Sequence, residues 1–486
     1  MAERISADAA HLQTDVVILG TGGAGLRAAI AARQSGATVL VVSKMGPEDL
    51  NCTIRAWGGF TYAPERQVDE LFRQVVETSG FLGNQRLVEI LARETPKRME
   101  ELQEFGVNMK LWGESPSPDD LGILKLTTTG VTAGFGLTRP LRAYAERIGV
   151  QFLDNVMVSS LVAGDGRVYG VVGVHLIQGN LVAIAAKAVV IATGGGACLY
   201  ERTDNPPGTT ADGMALAYDA GVELIDMECV SFQFPSKRLE ELFCLKEVPD
   251  EKLLAVGAAH FFLGGIKIDE RCRTGINGLY AAGETAGGVF GAARLGGSAL
   301  AEIIVFGALA GYEAAVHAKA SSSPKLDAAR VERERDRVNA MLSDTGISAE
   351  EVASRLRSVM WRHCGTMKTR HNLQRGIEEL TKIEAQKAQL RVGSIAQLRE
   401  GIECLNMITV GKLIATASLL REESRGCFWR IDFPKPDNDK WLKNIYLQKV
   451  NGGLRHEVRP AIMTRLTSPK QTRIGAGCFS YLPVAR

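Results

Sequence analysis

The sequence predicts an α/β fold, a Rossmann-like nucleotide-binding domain followed by a helical domain and a short C-terminal tail, on three observations. An apolar run, DVVILG at 15–20, passes through glycines into the helix-like LRAAIAARQSG. Glycine-rich blocks that follow short apolar runs recur far along the chain, at 187–196 and 275–288. Beyond a polar linker, AKASSSP at 318–324, charged segments bearing alanine and leucine keep helical spacing to about residue 420.

The first run, apolar throughout, reads as a buried parallel strand. Gly20, Gly22 and Gly25 then form G-x-G-x-x-G: the first permits a tight turn, the second lets backbone approach a pyrophosphate, and the third lets helix pack on strand. The helix N-terminus faces the phosphates. The second strand of this βαβ unit is ATVLVVS at 37–43. Its end carries Ser43 and Lys44 where an NAD site would place an acidic ribose ligand, which disfavours NAD. KAVVIATGGG (187–196), TTADGMALAYDAG (209–221) and GINGLYAAGETAGG (275–288, with Glu284 just after its strand) return the chain to one site, as a long FAD requires. Segments at about 327–342, 349–363, 371–391 and 396–420 read as a helical bundle. The end, VRPAIMTRLTSPKQTRIGAGCFSYLPVAR, is basic and proline-bearing and reads as an extended tail along its own or a neighbouring subunit.

A chain of 486 residues has room for two or three domains, and 45% hydrophobic with 23% charged residues is ordinary globular composition. The net charge of +2, with basic residues spread along the chain, gives no electrostatic footprint for nucleic acid or an anionic membrane, and neither partner is expected. No apolar run approaches the roughly 20 residues of a bilayer span, and the start lacks the order of a signal peptide. The expected location is cytoplasmic, with membrane association only through partner subunits. Nine cysteines show no C-x-x-C pairing, so neither an iron-sulfur cluster nor a structural zinc is expected in this chain, and no other metal site is indicated.

From about residue 14 to about residue 445 the sequence resembles the flavoprotein subunits of the fumarate reductase and succinate dehydrogenase family, with L-aspartate oxidase and adenylylsulfate reductase as further members. The resemblance rests on GTGGAG, SK at 43–44, TIRAWGG, ATGGG, HFFLGGI, GLYAAGE, ARLGGSAL and ESRGCFWRIDFP. It implies an FAD domain at 14–235 and 260–317 interrupted by a capping insertion, a helical domain at 325–435 and a C-terminal extension at 436–486. It also implies FAD contacts at Gly20, Gly22, Gly23, Ala24 and Gly25, at Ser43, Lys44, Thr53, Gly58 and Gly59, and at Ala192, Thr193, Gly194, Asp212, Glu284, Ser298 and Leu300. Amides and glycines suit phosphate, and carboxylates suit ribityl and ribose hydroxyls. Where the family has a histidine bonded covalently to flavin, Cys52 stands here; a thioether is one reading and non-covalent FAD the plainer one.

The resemblance assigns His260 and Arg294 to holding a substrate carboxylate, with Gly297 contributing backbone; the fork of an arginine suits such a clamp. The rest of the family's dicarboxylate site is missing. Only residues 236–259 stand where a capping domain on the order of 100 residues is expected from the resemblance, which makes the insertion truncated. The family's proton-donating arginine and its second carboxylate contacts have no counterpart, and Phe234 replaces a histidine. Lys237, Arg238, Lys246 and Lys252 in the short insert offer a replacement donor, or belong to a solvated connector. The closing motif has Phe428 in place of a histidine, and Arg425, Arg430 and Asp432 read as a structural ion-pair cluster.

The expected function is that of an FAD-dependent oxidoreductase subunit moving hydride between flavin and a small carboxylate-bearing substrate, with electrons exchanged with an iron-sulfur partner. The alternative is a non-catalytic FAD relay in a multi-subunit redox complex. The helical domain either contacts that iron-sulfur subunit or serves as scaffold.

Overall fold

A computed structural model describes residues 4–47, 49–111, 121–127, 132–233 and 257–469 of the chain. The expectations placed on Phe234, Lys237, Arg238, Lys246 and Lys252, and on residues 470–486, lie outside the described residues.

The βαβ unit starts the fold. Strand β1 (Ser6–Leu19) is longer than the apolar run suggests, helix α1 (Gly23–Gln34) follows the glycines, and β2 (Val39–Val42) returns parallel to β1 with Val16 opposite Val39 and Leu19 opposite Val42. On its other side β1 pairs in parallel with Asn180–Ile191, Leu19 opposite Ile191. The end of that strand pairs in parallel with Leu279–Ala281, Ala281 opposite Ile191. Three neighbouring parallel strands therefore stop at one edge, and each is followed directly by one of the glycine blocks. Sequence positions more than 250 residues apart thus meet in the crevice outside the carboxyl ends of the strands, where open α/β sheets bind ligands. Strand Arg167–His175 pairs antiparallel with Asn180–Ile191 and Val156–Gly164 pairs antiparallel with Arg167–His175, and Gln151–Leu153 closes the other edge beside β2.

Helix Ser298–Lys319 packs on α1 so closely that a Cβ at Gly311 would lie 2.0 Å from the Ala28 carbonyl oxygen. This helix and Ile395–Leu420 are long and apolar enough to cross a membrane by length and composition, with mean hydropathies of 1.6 and 1.3, contrary to the reading that no run approaches that length. Their apolar windows are 78% and 67% buried within the fold, so both serve here as core helices.

Helices Ala349–Cys364, Arg370–Ala385 and Leu398–Leu420 pack on one another, with Ala328–Asn339 beside strand Val156–Gly164. Side-chain caps fix three of their starts: Asp327 accepts from Ala329 N, Ser348 from Glu351 N and Thr369 from Asn372 N. Val352, Leu356, Val359 and Met360 form the buried stripe of one helix.

Residues beyond 436 form more than a tail. Lys443–Val450 and Gly453–Pro460 make a hairpin around Asn451 and Gly452, both at positive φ, the Asn-Gly turn that matches strand twist. The hairpin extends a second sheet through Leu224 opposite Leu447 and Ile225 opposite Tyr446. Gln85 then fastens the following segment to its own chain, its Oε1 accepting from the amides of Thr464, Arg465 and Leu466.

The closing motif is buried where this second sheet meets the helical bundle. Arg421 donates to Glu228 at 2.6 Å, to Glu423 at 3.0 Å and to the Lys443 carbonyl at 3.0 Å. Arg425 pairs with Glu423 at 2.8 Å and Arg430 with Asp432 at 2.7 Å. Phe428 lies under Lys368, whose Nζ is 4.9 Å from its ring centre.

Candidate active site

A cavity of about 480 Å³ opens at the edge where the three parallel strands stop. Its first wall is the β1–α1 turn. Gly20, at φ 113°, lies so close to the neighbouring strand that a Cβ would stand 2.3 Å from the Ala192 carbonyl, and one at Gly25 would stand 1.9 Å from the Gly20 carbonyl. These contacts need glycine, and they leave the start of α1 open to the cavity through Gly22, Gly23 and Ala24. No acidic residue occupies the first turn of α1, so nothing there competes with phosphate for the helix N-terminus. Thr53, in the short helix α2 (Cys52–Arg55), accepts from Gly23 N at 3.1 Å and ties α2 to the turn. Thr21 and Ser43 bridge the turn to the end of β2 at 3.2 Å. Gly59, Ala192, Thr193, Gly194 and Leu300 also line the cavity, whereas Gly25, Gly58 and Ser298 do not. Gly58 is engaged with Leu126, and the Ser298 hydroxyl donates to the Leu295 carbonyl at 2.5 Å.

Lys44 and Asp212 line the cavity together and are bonded to each other at 2.6 Å. Lys44 Nζ also reaches the Gly208 carbonyl at 2.6 Å, Thr210 Oγ1 at 3.0 Å and Glu403 of the helical bundle at 2.6 Å. Burial opposes its charge, but Asp212 and Glu403 outweigh it and raise the ammonium above its ordinary range. Asn406 donates to the other Asp212 oxygen at 2.8 Å. Lys44 is thus a clamp joining the β2 end, the 208–212 loop and the bundle, with Asp212 held from two sides. Sequence reading missed Glu403 and Asn406, which carry no motif.

Cys52 lies in the wall, its Sγ 3.1 Å from Asn205 Oδ1 and 3.5 Å from Thr209 Oγ1. Burial pushes the thiol well above its ordinary range, aided by the nearby negative charge of Glu284. The group is a neutral thiol, a poor nucleophile toward a flavin methyl.

Arg294, His260, Glu284 and Gly297 line the same cavity. Arg294 is 7% exposed, and its guanidinium lies 4.5 Å from the Phe261 ring centre. Burial lowers it to about 10, although the negative charge of Glu284 opposes the shift. Burial pushes Glu284 up to about 7, against the Phe262 amide that donates to its Oε1 at 2.9 Å. Behind the wall, burial also pushes Glu302 of helix Ser298–Lys319 up to about 8, despite its bond to the Gly283 amide. Gly297, at φ 78°, caps that helix, and its carbonyl accepts from Thr61 N at 3.1 Å.

His260 lies on strand Ala258–Phe262, its Nδ1 2.7 Å from Asp204 Oδ2. Asn205 donates to Asp204 Oδ1 at 2.9 Å and to the His260 carbonyl at 2.8 Å. Burial opposes ionisation of Asp204, but the hydrogen bond and charge of His260 and the Asn205 amide outweigh it and hold the carboxyl below its ordinary range. No motif marked Asp204; the TDNP loop brings it there.

The arrangement suits FAD. A glycine turn and an unopposed helix N-terminus offer amides to a pyrophosphate, and Thr193, Gly194 and the guanidinium of Arg294 line the same cavity.

Comparison with known proteins agrees. The FAD binding domain family matches residues 15–239 and 250–300, and the fumarate reductase flavoprotein C-terminal family matches residues 353–474. An uncharacterised FAD-dependent oxidoreductase of Methanocaldococcus jannaschii is 31% identical over 525 aligned positions, covering 90% of this chain and 96% of its own. One subunit of the fumarate reductase (CoM/CoB) of Methanothermobacter marburgensis is 30% identical over 535 positions, covering 90% and 97%. Both alignments are longer than the chain of 486 residues, so each relative carries segments with no counterpart here. In fold, a variant of Escherichia coli quinol fumarate reductase FrdA superposes with a TM-score of 0.84 at 24% identity, covering 96% of this chain and 100% of that one. Adenylylsulfate reductase of Archaeoglobus fulgidus superposes with a TM-score of 0.77 at 16% identity, covering 95% and 99%.

Proposed function

The chain belongs to the fumarate reductase and succinate dehydrogenase flavoprotein family and is an FAD-dependent oxidoreductase, and we propose that it acts on a small carboxylate-bearing substrate held by Arg294 and His260. The observation that carries this reading is that a buried arginine and a histidine line the same cavity as the dinucleotide turn. A guanidinium with fixed fork geometry binds a carboxylate bidentately, and burial strengthens the pair because water competes less. Bound FAD supplies the two-electron redox chemistry. The chain's own residues clamp the substrate carboxylate, orient the rest of the molecule along Phe261 and the Gly297 backbone, and provide acid groups beside it.

The truncated capping insertion belongs to this proposal, and alignments longer than the chain support it. A short insertion leaves room for a substrate larger than fumarate or for closure by another subunit. The relatives' description as subunits supports an electron-transferring partner, proposed here as an iron-sulfur protein.

The test is anaerobic. The FAD-loaded chain is reduced with dithionite, freed of excess reductant, and its flavin absorbance followed on adding fumarate, alone and with any co-purifying subunit. Reoxidation is the expected result. A flavin that stays reduced in both conditions would assign the chain to electron relay or to another acceptor.

A further inference from the structure

We propose that Asp204 is a positioning residue that makes His260 the proton donor of this site. The inference rests on the proposed reduction of a carboxylate-bearing substrate, leaves the carboxylate to Arg294, and gives Nε2 of His260, whose Nδ1 is bonded to Asp204, the delivery of the proton.

Three observations support it. Asp204 and His260 meet at 2.7 Å in the cavity wall, through Nδ1 of the ring. The carboxylate is itself fixed, because Asn205 holds its second oxygen and also the backbone carbonyl of His260, so loop and strand move as one. The bonds to His260 and Asn205 outweigh burial and keep Asp204 ionised at neutral pH. An imidazolium paired with a carboxylate carries no net charge, so the pair adds little net electrostatic attraction for an anion. A carboxylate on Nδ1 fixes the tautomer and stabilises the imidazolium, which directs proton exchange to Nε2.

The other acids of the wall are less suited. Cys52 is a half-buried neutral thiol bonded to Asn205 and Thr209. Arg294 is committed to the carboxylate. Glu284 is the competitor, but its Oε1 accepts from the Phe262 amide, and a Cβ at Gly195 would stand 2.1 Å from that oxygen, so it is packed against backbone.

Reduction of a carbon–carbon double bond beside a carboxylate requires two electrons and two hydrogens. Bound reduced FAD, the reductant, would supply the hydride for one carbon. His260 Nε2 gives its proton to the other: an N–H bond breaks, a C–H bond forms, the π bond is lost, and the imidazolium becomes neutral imidazole. Solvent then returns the proton.

The experiment uses the FAD-loaded full chain in wild-type, Asp204→Asn and His260→Gln forms, with flavin content and circular dichroism to show that each is folded. Reoxidation of the reduced protein is timed across pH with fumarate, which needs a proton on carbon, and with ferricyanide, which does not. The expected loss with fumarate is about 100-fold or more for His260→Gln, a typical general-acid contribution. For Asp204→Asn it is about tenfold, since a ring no longer held by the carboxylate delivers its proton less well. The ferricyanide rate is unchanged in both. In parallel, ¹⁵N-histidine spectra identify the protonated ring nitrogen, and the Nδ1–H signal of His260 is expected to shift when Asp204 is replaced. Identical His260 spectra in wild type and Asp204→Asn overturn the inference whether or not fumarate reacts. A changed spectrum with no reaction of wild type toward fumarate overturns the substrate reading, and with it the donor role toward such a double bond. Loss of the pH limb in Glu284→Gln, with the dyad variants unaffected, assigns the proton to Glu284 and also overturns the inference.

Discussion

Arg421 and Arg294 are both buried arginines beside carboxylates, yet their surroundings act on them in opposite directions. Around Arg421, burial is outweighed by Glu228, Asp226 and Glu423, and the charged form is favoured beyond its ordinary range. Three carboxylates and two backbone carbonyls surround that guanidinium, and it joins the second sheet, the bundle and the C-terminal hairpin. Around Arg294, burial wins over Glu284 and the guanidinium is lowered to about 10. A cation whose charge its carboxylates favour has little to gain from a ligand; one whose charge burial disfavours in a cavity wall gains from an added carboxylate. Residue type and burial alone would not separate scaffold from site, and the balance of charge does.

Substitutions at the two arginines break the comparison most directly. Arg421→Met leaves Asp226 and Glu228 buried without their cation and Glu423 with Arg425 alone, and should destabilise the fold by about 3–5 kcal/mol, read from urea unfolding. Arg294→Gln should instead weaken binding of a dicarboxylate to the oxidised FAD-loaded protein by about 2–5 kcal/mol, read from flavin spectral titration.

A smaller effect tests whether the clamp at Lys44 belongs to scaffold or site. Glu403→Gln removes one of the two carboxylates on Lys44 and should loosen Asp212 in the cavity wall. FAD affinity measured by calorimetry on the apo-protein should fall by about 1–3 kcal/mol. No change would make the clamp purely structural.

The pH dependence sharpens the contrast. Glu284 has its folded-state pKa raised from 4.5 to about 7, so the neutral carboxyl is the form the fold favours. Its contribution to apo-protein stability is full below 4.5 and lost as pH rises through about 7. The stability difference between wild type and Glu284→Gln should therefore change with pH in that window, by at most about 1.4 kcal/mol per pH unit, and be flat on either side. The smallest effect is expected at Cys52. Acid precipitation should release all flavin to the supernatant, and Cys52→Ala should change FAD affinity less than about tenfold, near the cost of one lost hydrogen bond.

Much of the fold was legible because it is written locally. The strand, glycine turn and helix at 15–36 follow from an apolar run and glycine spacing, and the bundle helices fall close to their expected positions because apolar period and capping residues coincide. The Asn451-Gly452 turn was equally local, but a basic, proline-bearing end masked it. The site was legible where glycine blocks end strands and, through the resemblance, at residues such as Lys44, Cys52, His260 and Arg294, which line the same cavity. Asp204, Glu403 and Asn406 matter through partners 56, 359 and 194 positions away, and no spacing rule reaches that far. The expectation that Lys44 and Asp212 both face a nucleotide did not anticipate that they bind each other, because that pairing depends on the bundle lying against the 208–212 loop.

The most direct measurement pairs two readouts on Arg294→Gln: dicarboxylate affinity of the oxidised FAD-loaded protein and unfolding midpoint of the same sample. The account predicts a loss of affinity of at least about 30-fold with a midpoint essentially that of wild type. Unchanged affinity, or a midpoint that falls as far as it does in Arg421→Met, would contradict the claim that the two buried arginines divide the work of site and scaffold.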